Sequence, residues 1–380
     1  MELVSYKRLA CIFETIKEDK MNEFKLQNIH GRYITNTHLE EFLTILDPAI
    51  FKVGIIGNSV KKKPVYRIDF GTGNFKVLLW SQMHGNESTT TKAVLDVLNM
   101  IRNDRKADWL EHFTFCFIPI LNPDGAEAYT RVNANGVDLN RDSCELSQPE
   151  SKILRSTFDE FKPDLALNMH DQRTIFSAGP EEYPATISFL APSYNEECTV
   201  NDTRFFAMQL IARMNEVLKE RIPHQIGRFD DAFNINCIGD MFTYLNVPTI
   251  LFEAGHFQND YHREVTREIV REALTVLLDS IIEESYGKFT LEDYLAIPEN
   301  EKSFVDIIIE NHVTTNEELK KHDKLPVLFK ELLTNGQIQF VPVLDFNSAP
   351  HYKYGHIVLN FNGLEINNEK DIQNLIKELS

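Results

Sequence analysis

The sequence predicts an α/β fold in which a mixed, mainly parallel twisted sheet has helices on both faces. Three observations support this prediction. Segments such as "FKVLLWSQM" (75–83) and "FTFCFIPIL" (113–121) are continuously apolar, which is typical of strands buried on both faces. They alternate with amphipathic segments long enough for helices. After about residue 288 the alternation gives way to short β runs and a final helix, which indicates a small appended α+β unit.

The N-terminal part precedes the alternating pattern. Residues 1–50 are predicted to form polar helical pieces, and "HGRYITNTHLEEFLTIL" (30–46) predicts a turn, a cap and a short helix. Two β-rich runs around a polar turn follow at 51–71, which is the pattern of a hairpin.

The alternating elements then follow in order along the chain. Strands are predicted at 75–83, 113–121, 164–169, 187–192 and 248–255, and helices at 88–104, 148–161, 201–221 and 262–285. Short strands are predicted at 304–309, 338–344 and 356–361. This order divides the chain into an N-terminal helical segment (1–50), a large α/β domain (51–287) and a C-terminal α+β extension (288–380).

Charge and cysteine content limit which partners, cellular locations and metal sites are expected. The net charge of −18, with no basic run beyond Lys61–Lys63, argues against nucleic acid or an anionic membrane as the main partner. No window reaches the length of a membrane span, and the first residues lack the apolar core of a secretory signal. The five cysteines are scattered without a CxxC pair, which favours reduced thiols in a cytoplasm over a cysteine-built zinc site. The oligomeric state stays open.

Polar clusters follow four of the predicted strands. They are His84-Gly-Asn-Glu87 after "VLLWSQM", Asn122-Pro-Asp-Gly125 after "CFIPIL", His170-Asp171 after "LALNM", and Glu253 after "PTILF". Each cluster alone has an ordinary structural explanation, such as a helix N-terminus, a β-turn, a core histidine or an ion pair. In open α/β sheets, however, ligands bind beyond the carboxyl ends of the strands. A buried carboxylate there costs several kcal/mol unless it is paired or bound to metal. One joint site explains all four clusters better than four independent coincidences.

Two histidines and one carboxylate match the ligand set of a catalytic zinc, with a fourth position left for water. The pair His84 and Glu87 is close in sequence, and His170 is distant, as is usual where the tertiary fold assembles the site. The sequence therefore predicts a Zn²⁺ cofactor held by these three side chains.

The motifs "HGNE", "NPDG", "RVNANGVDLNR", "LNMH" and "ILFEAG" occur in the order expected of M14 zinc carboxypeptidases. The resemblance runs from about residue 50 to 285 and leaves both ends of the chain outside it. The zinc ligands that it implies are again His84, Glu87 and His170, the His₂Glu set of carboxypeptidase A. It also implies the zinc carboxypeptidase version of the α/β fold.

The resemblance implies further roles at matching positions. Glu253 would be the general base, and Arg131 would stabilise the oxyanion of the tetrahedral intermediate. Asn140 and Arg141 would bind the free carboxylate of the substrate, a task that suits a guanidinium fork. Asp138 would accept a hydrogen bond from the ring N–H of the first zinc histidine.

One departure from the family concerns the end of the substrate. Digestive members carry a tyrosine on a mobile loop about twenty residues before the catalytic glutamate. Here that region reads "GRFDDAFNINCIGD" (227–240), with Phe229 and Phe233 but no tyrosine. The preferred terminal residue therefore does not transfer, although Gly239 lies near the position that would select it.

Three functions remain open at this point. A metallocarboxypeptidase acting on peptides with a free carboxylate is favoured by the chain length and by "NPDG". An N-acyl amino acid amidohydrolase of the succinylglutamate desuccinylase/aspartoacylase type is the alternative, because "HGNE" and "EAGH" resemble its motifs and its substrates also carry a carboxylate. A non-catalytic binding module is disfavoured, since such proteins usually lose a zinc ligand or the general base and this chain keeps both.

Overall fold

The computed structural model describes residues 24–103, 106–346, 352–360 and 363–379. Its strands are β1 (Phe51–Asn58), β2 (Pro64–Phe70), β3 (Phe75–Ser81), β4 (Phe113–Ile118), β5 (Leu165–Asp171), β6 (Phe176–Ala178), β7 (Ile187–Leu190), β8 (Ile226–Arg228), β9 (Thr249–Ala254), β10 (Asn300–Lys302), β11 (Phe304–Glu310), β12 (Lys324–Thr334), β13 (Gln337–Leu344) and β14 (Tyr354–Asn360). Its α-helices are α1 (Asn36–Leu43), α2 (Thr89–Arg102), α3 (Ala107–His112), α4 (Pro123–Ala128), α5 (Pro149–Phe161), α6 (Asp202–Leu218), α7 (Ile238–Tyr244), α8 (Glu264–Ile282), α9 (Leu291–Leu295) and α10 (Glu369–Leu379).

Eight strands form the main sheet in the order β1-β2-β4-β3-β5-β9-β7-β8. The central strands β4, β3, β5 and β9 are parallel to their neighbours within this group. The predicted hairpin of β1 and β2 adds to one side in antiparallel pairing, and β7 pairs antiparallel with β9 on the other side. The predicted mixed, mainly parallel α/β fold is confirmed.

Helices cover both faces because the central strands are apolar on both faces. In β3, Val77 and Leu79 pack into one core with α2, α6 and α8. The alternate residues Leu78 and Trp80 pack into a second core with α5 and α7. This alternation follows from the two-residue period of a strand. None of the described helices is both long and apolar enough to cross a membrane.

The N-terminal prediction is only partly confirmed. The short helix predicted within 30–46 is present as α1 and begins after Thr35, which is in an extended conformation. The prediction of helical pieces is wrong for residues 24–35, which form turns and irregular backbone. The part of that prediction on residues 1–23 lies outside the described residues.

Beyond residue 284 the chain first stays with the main sheet. Tyr294, in α9, and Ile297 belong to the first core, and β10 pairs with β6. A second sheet then begins at β11, with the strand order β13-β12-β11-β14. We call residues 304–346, 352–360 and 363–379 the C-terminal unit. Its own core includes Ile307, Val327 and Ile372, the last of these from α10.

The C-terminal unit contacts the main sheet near the carboxyl ends of β5 and β9. The Tyr261 hydroxyl donates to Asp306 Oδ1 at 3.1 Å, and His356 Nε2 lies 2.7 Å from the Thr174 carbonyl oxygen. Glu331 accepts a hydrogen bond from Arg32 Nη1 at 3.0 Å. These contacts place the unit beside the edge of the sheet where the predicted site residues lie.

Candidate active site

The turn after β3 is fixed by backbone geometry and by close packing. Gln82 adopts a left-handed conformation with φ of 44°, and its side-chain amide donates to the Gly85 carbonyl oxygen at 3.0 Å. A Cβ atom at Gly85 would lie 1.9 Å from the carbonyl carbon of Gly125, so only glycine fits there. Asn122 caps α4 by accepting from the Gly125 amide at 2.8 Å. The "NPDG" segment therefore opens a short helix that holds the "HGNE" turn in place.

The three predicted metal ligands lie together at the ends of β3 and β5. His84 Nδ1 lies 2.8 Å from Glu87 Oε1, and His170 Nδ1 lies 2.8 Å from Glu87 Oε2. The two Nδ1 atoms are 3.0 Å apart. All three side chains are buried, and their ligand atoms lie within 4.8 Å of one another.

These donor atoms fit a zinc ion. Two imidazole nitrogens and a carboxylate oxygen are the ligands of catalytic zinc sites. Lone pairs of neutral imidazoles and of a carboxylate repel one another at such short distances, so the cluster requires a cation or a shared proton. Burial opposes the charge on Glu87, but His84 and His170 outweigh burial and hold the pKa of this carboxyl below its usual value.

Asp138 connects the metal ligands to Arg131. Its Oδ1 lies 2.9 Å from His84 Nε2, and its Oδ2 accepts from Arg131 Nε at 3.1 Å. Burial opposes the charge on Asp138, yet the hydrogen bond to His84 and the nearby cations lower the pKa of the carboxyl. Arg131 also donates to Glu87 at 3.3 Å, and its side chain remains 49% exposed. We call His84, Glu87 and His170 together the metal cluster. Arg131 therefore lies against the metal cluster and still faces solvent.

We call the space in front of these residues the main cavity. It has a volume of about 630 Å³ and is lined by His84, Glu87, Arg131, Asn140, Arg141 and Glu253 among others. Glu253 in β9 is paired with His170 in the neighbouring strand β5. Burial raises the pKa of Glu253, and the negative charges of Glu87 and Asp171 raise it further. A carboxyl with a raised pKa beside a metal cluster suits proton transfer.

Asn140 and Arg141 lie in a short 3₁₀ helix, Leu139–Arg141, whose N-cap is Asp138. Asn140 Oδ1 accepts from the Ile238 amide at 3.1 Å, which ties this segment to the start of α7. Arg141 is exposed and donates to the Asn140 carbonyl oxygen at 2.8 Å. Among the described residues it has no carboxylate partner, so its guanidinium is available to an anionic ligand.

The region that lacks the family tyrosine also lines the main cavity. Phe229 and Phe233 both line it, and the Phe229 ring packs edge-on against Phe176 with centroids 5.2 Å apart. Gly239 also lines the cavity, where a Cβ atom would lie 3.0 Å from Pro192 Cγ. The segment that lacks a tyrosine therefore contributes two apolar rings to the cavity wall.

Three lining residues were given no role of their own from the sequence, although Asp171 was part of a predicted polar cluster. Asp240 is buried in the main cavity wall, and burial raises its pKa to about 6. Asp171 accepts from the amides of Thr89 and Thr90, at the N-terminus of α2. Arg173 lines the cavity two residues further along. For Asp171 and Arg173 the available signal was their position directly after His170; for Asp240 the sequence offers none.

Comparison with solved structures first establishes the fold. The structure resembles a metallo-carboxypeptidase from Burkholderia cenocepacia with a TM-score of 0.51 and 17% identity, over 66% of this chain and 70% of that one. At this identity the likeness establishes the fold alone. The main sheet and its helices thus form a metallocarboxypeptidase fold.

A family model matches part of the sequence. Residues 38–192 match the zinc carboxypeptidase family model, Peptidase_M14, so the predicted resemblance is confirmed. This match includes the three candidate metal ligands and Arg141 but ends before Glu253. The family and the His84–Glu87–His170 cluster together support Zn²⁺ as the cofactor.

Curated relatives cover smaller parts of the chain. Carboxypeptidase 2 of Trichophyton rubrum is 30% identical over 111 residues, which are 28% of this chain and 21% of that protein. Carboxypeptidase SOL1 of Arabidopsis thaliana is 27% identical over 204 residues, 43% of this chain and 41% of that one. The chain therefore spans about a fifth of the length of the first of these relatives.

Proposed function

We propose that this protein is a zinc-dependent carboxypeptidase that hydrolyses the last peptide bond of substrates with a free C-terminal carboxylate. The observation that supports this most directly is the composition of the main cavity. His84 and Glu87 of the buried cluster line one cavity together with the partly exposed Glu253 carboxyl. The Arg141 guanidinium, which has no carboxylate partner in the described part of the chain, lines the same cavity. The family match points to the same reaction.

Each side chain then has a chemical task. Arg141 and Asn140 bind the terminal carboxylate and set the position of the scissile bond. Bound zinc supplies Lewis-acid chemistry, polarising the scissile carbonyl and making water more acidic. Arg131 directs N–H donors toward the oxygen on which negative charge develops. Glu253 takes a proton from the attacking water and delivers it to the leaving amine, for which a raised pKa is suitable.

The comparisons favour this function over the N-acyl amino acid amidohydrolase. The matching family model and the relatives described above are carboxypeptidases. Both reactions require a carboxylate beside the scissile amide, so the Arg141 clamp alone does not separate them. Longer peptides with a free N-terminus are substrates only for the peptidase.

The test compares free-acid peptides with their C-terminal amides on the zinc-loaded protein. We expect release of the terminal residue from the acids and none from the amides. Arg141→Lys should lower kcat/KM by about 30- to 150-fold, since a charged hydrogen bond contributes about 2–3 kcal/mol. Arg155→Lys is the matched control, because Arg155 pairs with Asp159 on α5. Equal turnover of acids and amides by the wild type would rule out the exopeptidase.

We also propose a cytoplasmic location, with neither nucleic acid nor a membrane as partner. In the described part of the chain, Cys116, Cys144, Cys198 and Cys237 are free thiols, which suits a reducing compartment. Fractionation of the native host should recover the protein with soluble cytoplasmic enzymes. Recovery outside the cytoplasm would contradict this location.

A further inference from the structure

A second cavity adjoins the main cavity on the side of the C-terminal unit. Its volume is about 300 Å³, at the lower end of the range for small-ligand sites. Glu87, Arg131 and Arg173 line both cavities. Arg141 lines the main cavity and is absent from the walls of the second. The second cavity therefore starts at the metal cluster and extends away from Arg141, the proposed binding residue for the terminal carboxylate.

This position fits the substrate residue that precedes the scissile bond. A peptide whose terminal carboxylate binds Arg141 has its last peptide bond beside Glu87 and Arg131. The chain then continues past the cluster, and one extended residue covers about 3.5 Å. The side chain of the residue before the scissile bond would therefore enter the second cavity.

The C-terminal unit supplies the outer wall of this cavity. Leu328, Phe329 and Phe340 line it with apolar surface. The Phe329 ring packs edge-on against Tyr261, with centroids 5.0 Å apart, so it has a fixed position. A side chain entering here packs its methylene groups against apolar residues.

The carboxylates that line the second cavity already have partners. Glu331 accepts from Arg32 at 3.0 Å and from the Tyr129 hydroxyl. Asp306 accepts from the Tyr261 hydroxyl and from the Phe329 amide at 2.7 Å. Asp171 accepts from two backbone amides of α2, and Glu87 belongs to the metal cluster. Their negative charge is thus largely compensated within the protein.

The arginines that line the second cavity differ in whether they already have partners within the protein. Arg263 is buried and donates to the carbonyl oxygens of Ala254 and Gln172. Arg32 pairs with Glu331, and Arg131 pairs with Glu87 and Asp138. Arg173 is exposed and has neither a hydrogen bond nor an ion pair within the described residues. It is the lining cation whose charge remains available to a ligand.

We propose that the second cavity binds the residue before the scissile bond and that Arg173 selects an acidic side chain there. The inference rests on the proposed carboxypeptidase function and specifies its substrate class as peptides ending in Glu-X or Asp-X. The carboxylate of that residue pairs with the Arg173 guanidinium, and its stem lies against Phe329. Arg173 is then a specificity-determining residue outside the metal cluster.

The test uses acetylated tripeptide libraries with a mixed last position and glutamate, glutamine or lysine before it. We expect the wild type to hydrolyse the glutamate library with about two- to fivefold higher kcat/KM than the glutamine library, as for a partly solvated ion pair. Arg173→Gln should abolish this preference, and Arg173→Glu should shift it to lysine. Arg155→Gln is the control and should leave the preference unchanged. Equal turnover of the glutamate and glutamine libraries by the wild type overturns the proposal but leaves the carboxypeptidase function standing.

A binding measurement covers the case in which no library is cleaved. Calorimetry on the zinc-loaded Glu253→Gln protein measures the affinity for a peptide of each kind without turnover. A Kd about two- to fivefold tighter for the glutamate peptide, lost when Arg173→Gln is added, supports the selection of an acidic side chain by Arg173. Equal affinities, or no binding of any peptide, overturn it.

Discussion

Asp138→Asn tests the link between the metal cluster and the residues around it. Asp138 accepts from the His84 ring on one side and from Arg131 on the other, at 2.9 and 3.1 Å. Because His84 Nδ1 faces Glu87 and His170, its ring proton is placed on Nε2 and points at Asp138. Asparagine has nearly the same volume but has only one acceptor oxygen and no charge.

The expected loss follows from these two contacts. A carboxylate that orients a metal-binding histidine typically contributes 10- to 100-fold in metal affinity, or about 1.4–2.7 kcal/mol. The side chain of Asp138 is 24% exposed, so solvent screening places the expectation nearer the lower value. Zinc affinity should therefore fall about tenfold. Turnover at saturating zinc should also fall, because Arg131 loses one of its two anionic partners.

The assay is a zinc titration in competition with a chelating dye, with circular dichroism as the check of folding. Asp142→Asn is the matched control. This neighbouring carboxylate accepts from the amides of Ser147 and Gln148. If Asp138→Asn retains wild-type zinc affinity, or if Asp142→Asn loses as much, Asp138 has no specific part in holding the metal.

Three further predictions concern the metal, the base and the C-terminal unit. His84→Ala and His170→Ala should each abolish stoichiometric zinc by elemental analysis; full zinc in the double variant would disprove the site. Glu253→Gln should keep zinc and lose activity by several orders of magnitude, whereas parallel loss of zinc and rate would make Glu253 a ligand. Asp306 is buried, and burial raises its pKa to about 6, so the folded state binds an extra proton below that pH. Wild-type stability should therefore fall relative to Asp306→Asn as pH rises from 4 to 6, by up to about 3 kcal/mol in urea unfolding. A difference independent of pH would refute this.

Local pattern made the main sheet predictable. Strand β3 is apolar at consecutive positions because it is buried on both faces, and the helices that follow such strands are amphipathic. The polar residues that follow such strands lie at one edge of the sheet, so His84 and His170 could be paired from a sequence separation of 86 residues. The prediction of parallel strands was therefore enough to predict that these two polar residues meet at the site.

The C-terminal unit was less predictable for physical reasons. Strand β12 contains Pro326 and Lys330, which interrupt the β pattern, yet it pairs with both β11 and β13. Its side chain Glu331 reaches Arg32 across 299 residues of sequence. Arg173 and Phe329 likewise line one cavity although they are far apart in the sequence. Contacts between segments so distant leave no periodic signal in the sequence.

Glu331 of the C-terminal unit bonds to Arg32 and Tyr129, and these hydrogen bonds tie the unit to the elements that build the site. Arg32 comes from the segment before α1, Tyr129 from the end of α4, and Glu331 from β12. Arg32 is buried, so without Glu331 its guanidinium would keep the cost of desolvation and lose its ion pair. The Tyr129 hydroxyl would lose its acceptor as well. Because α4 also supports the turn that carries His84 and Glu87, the same network connects the outer wall of the second cavity to the backbone of the metal ligands.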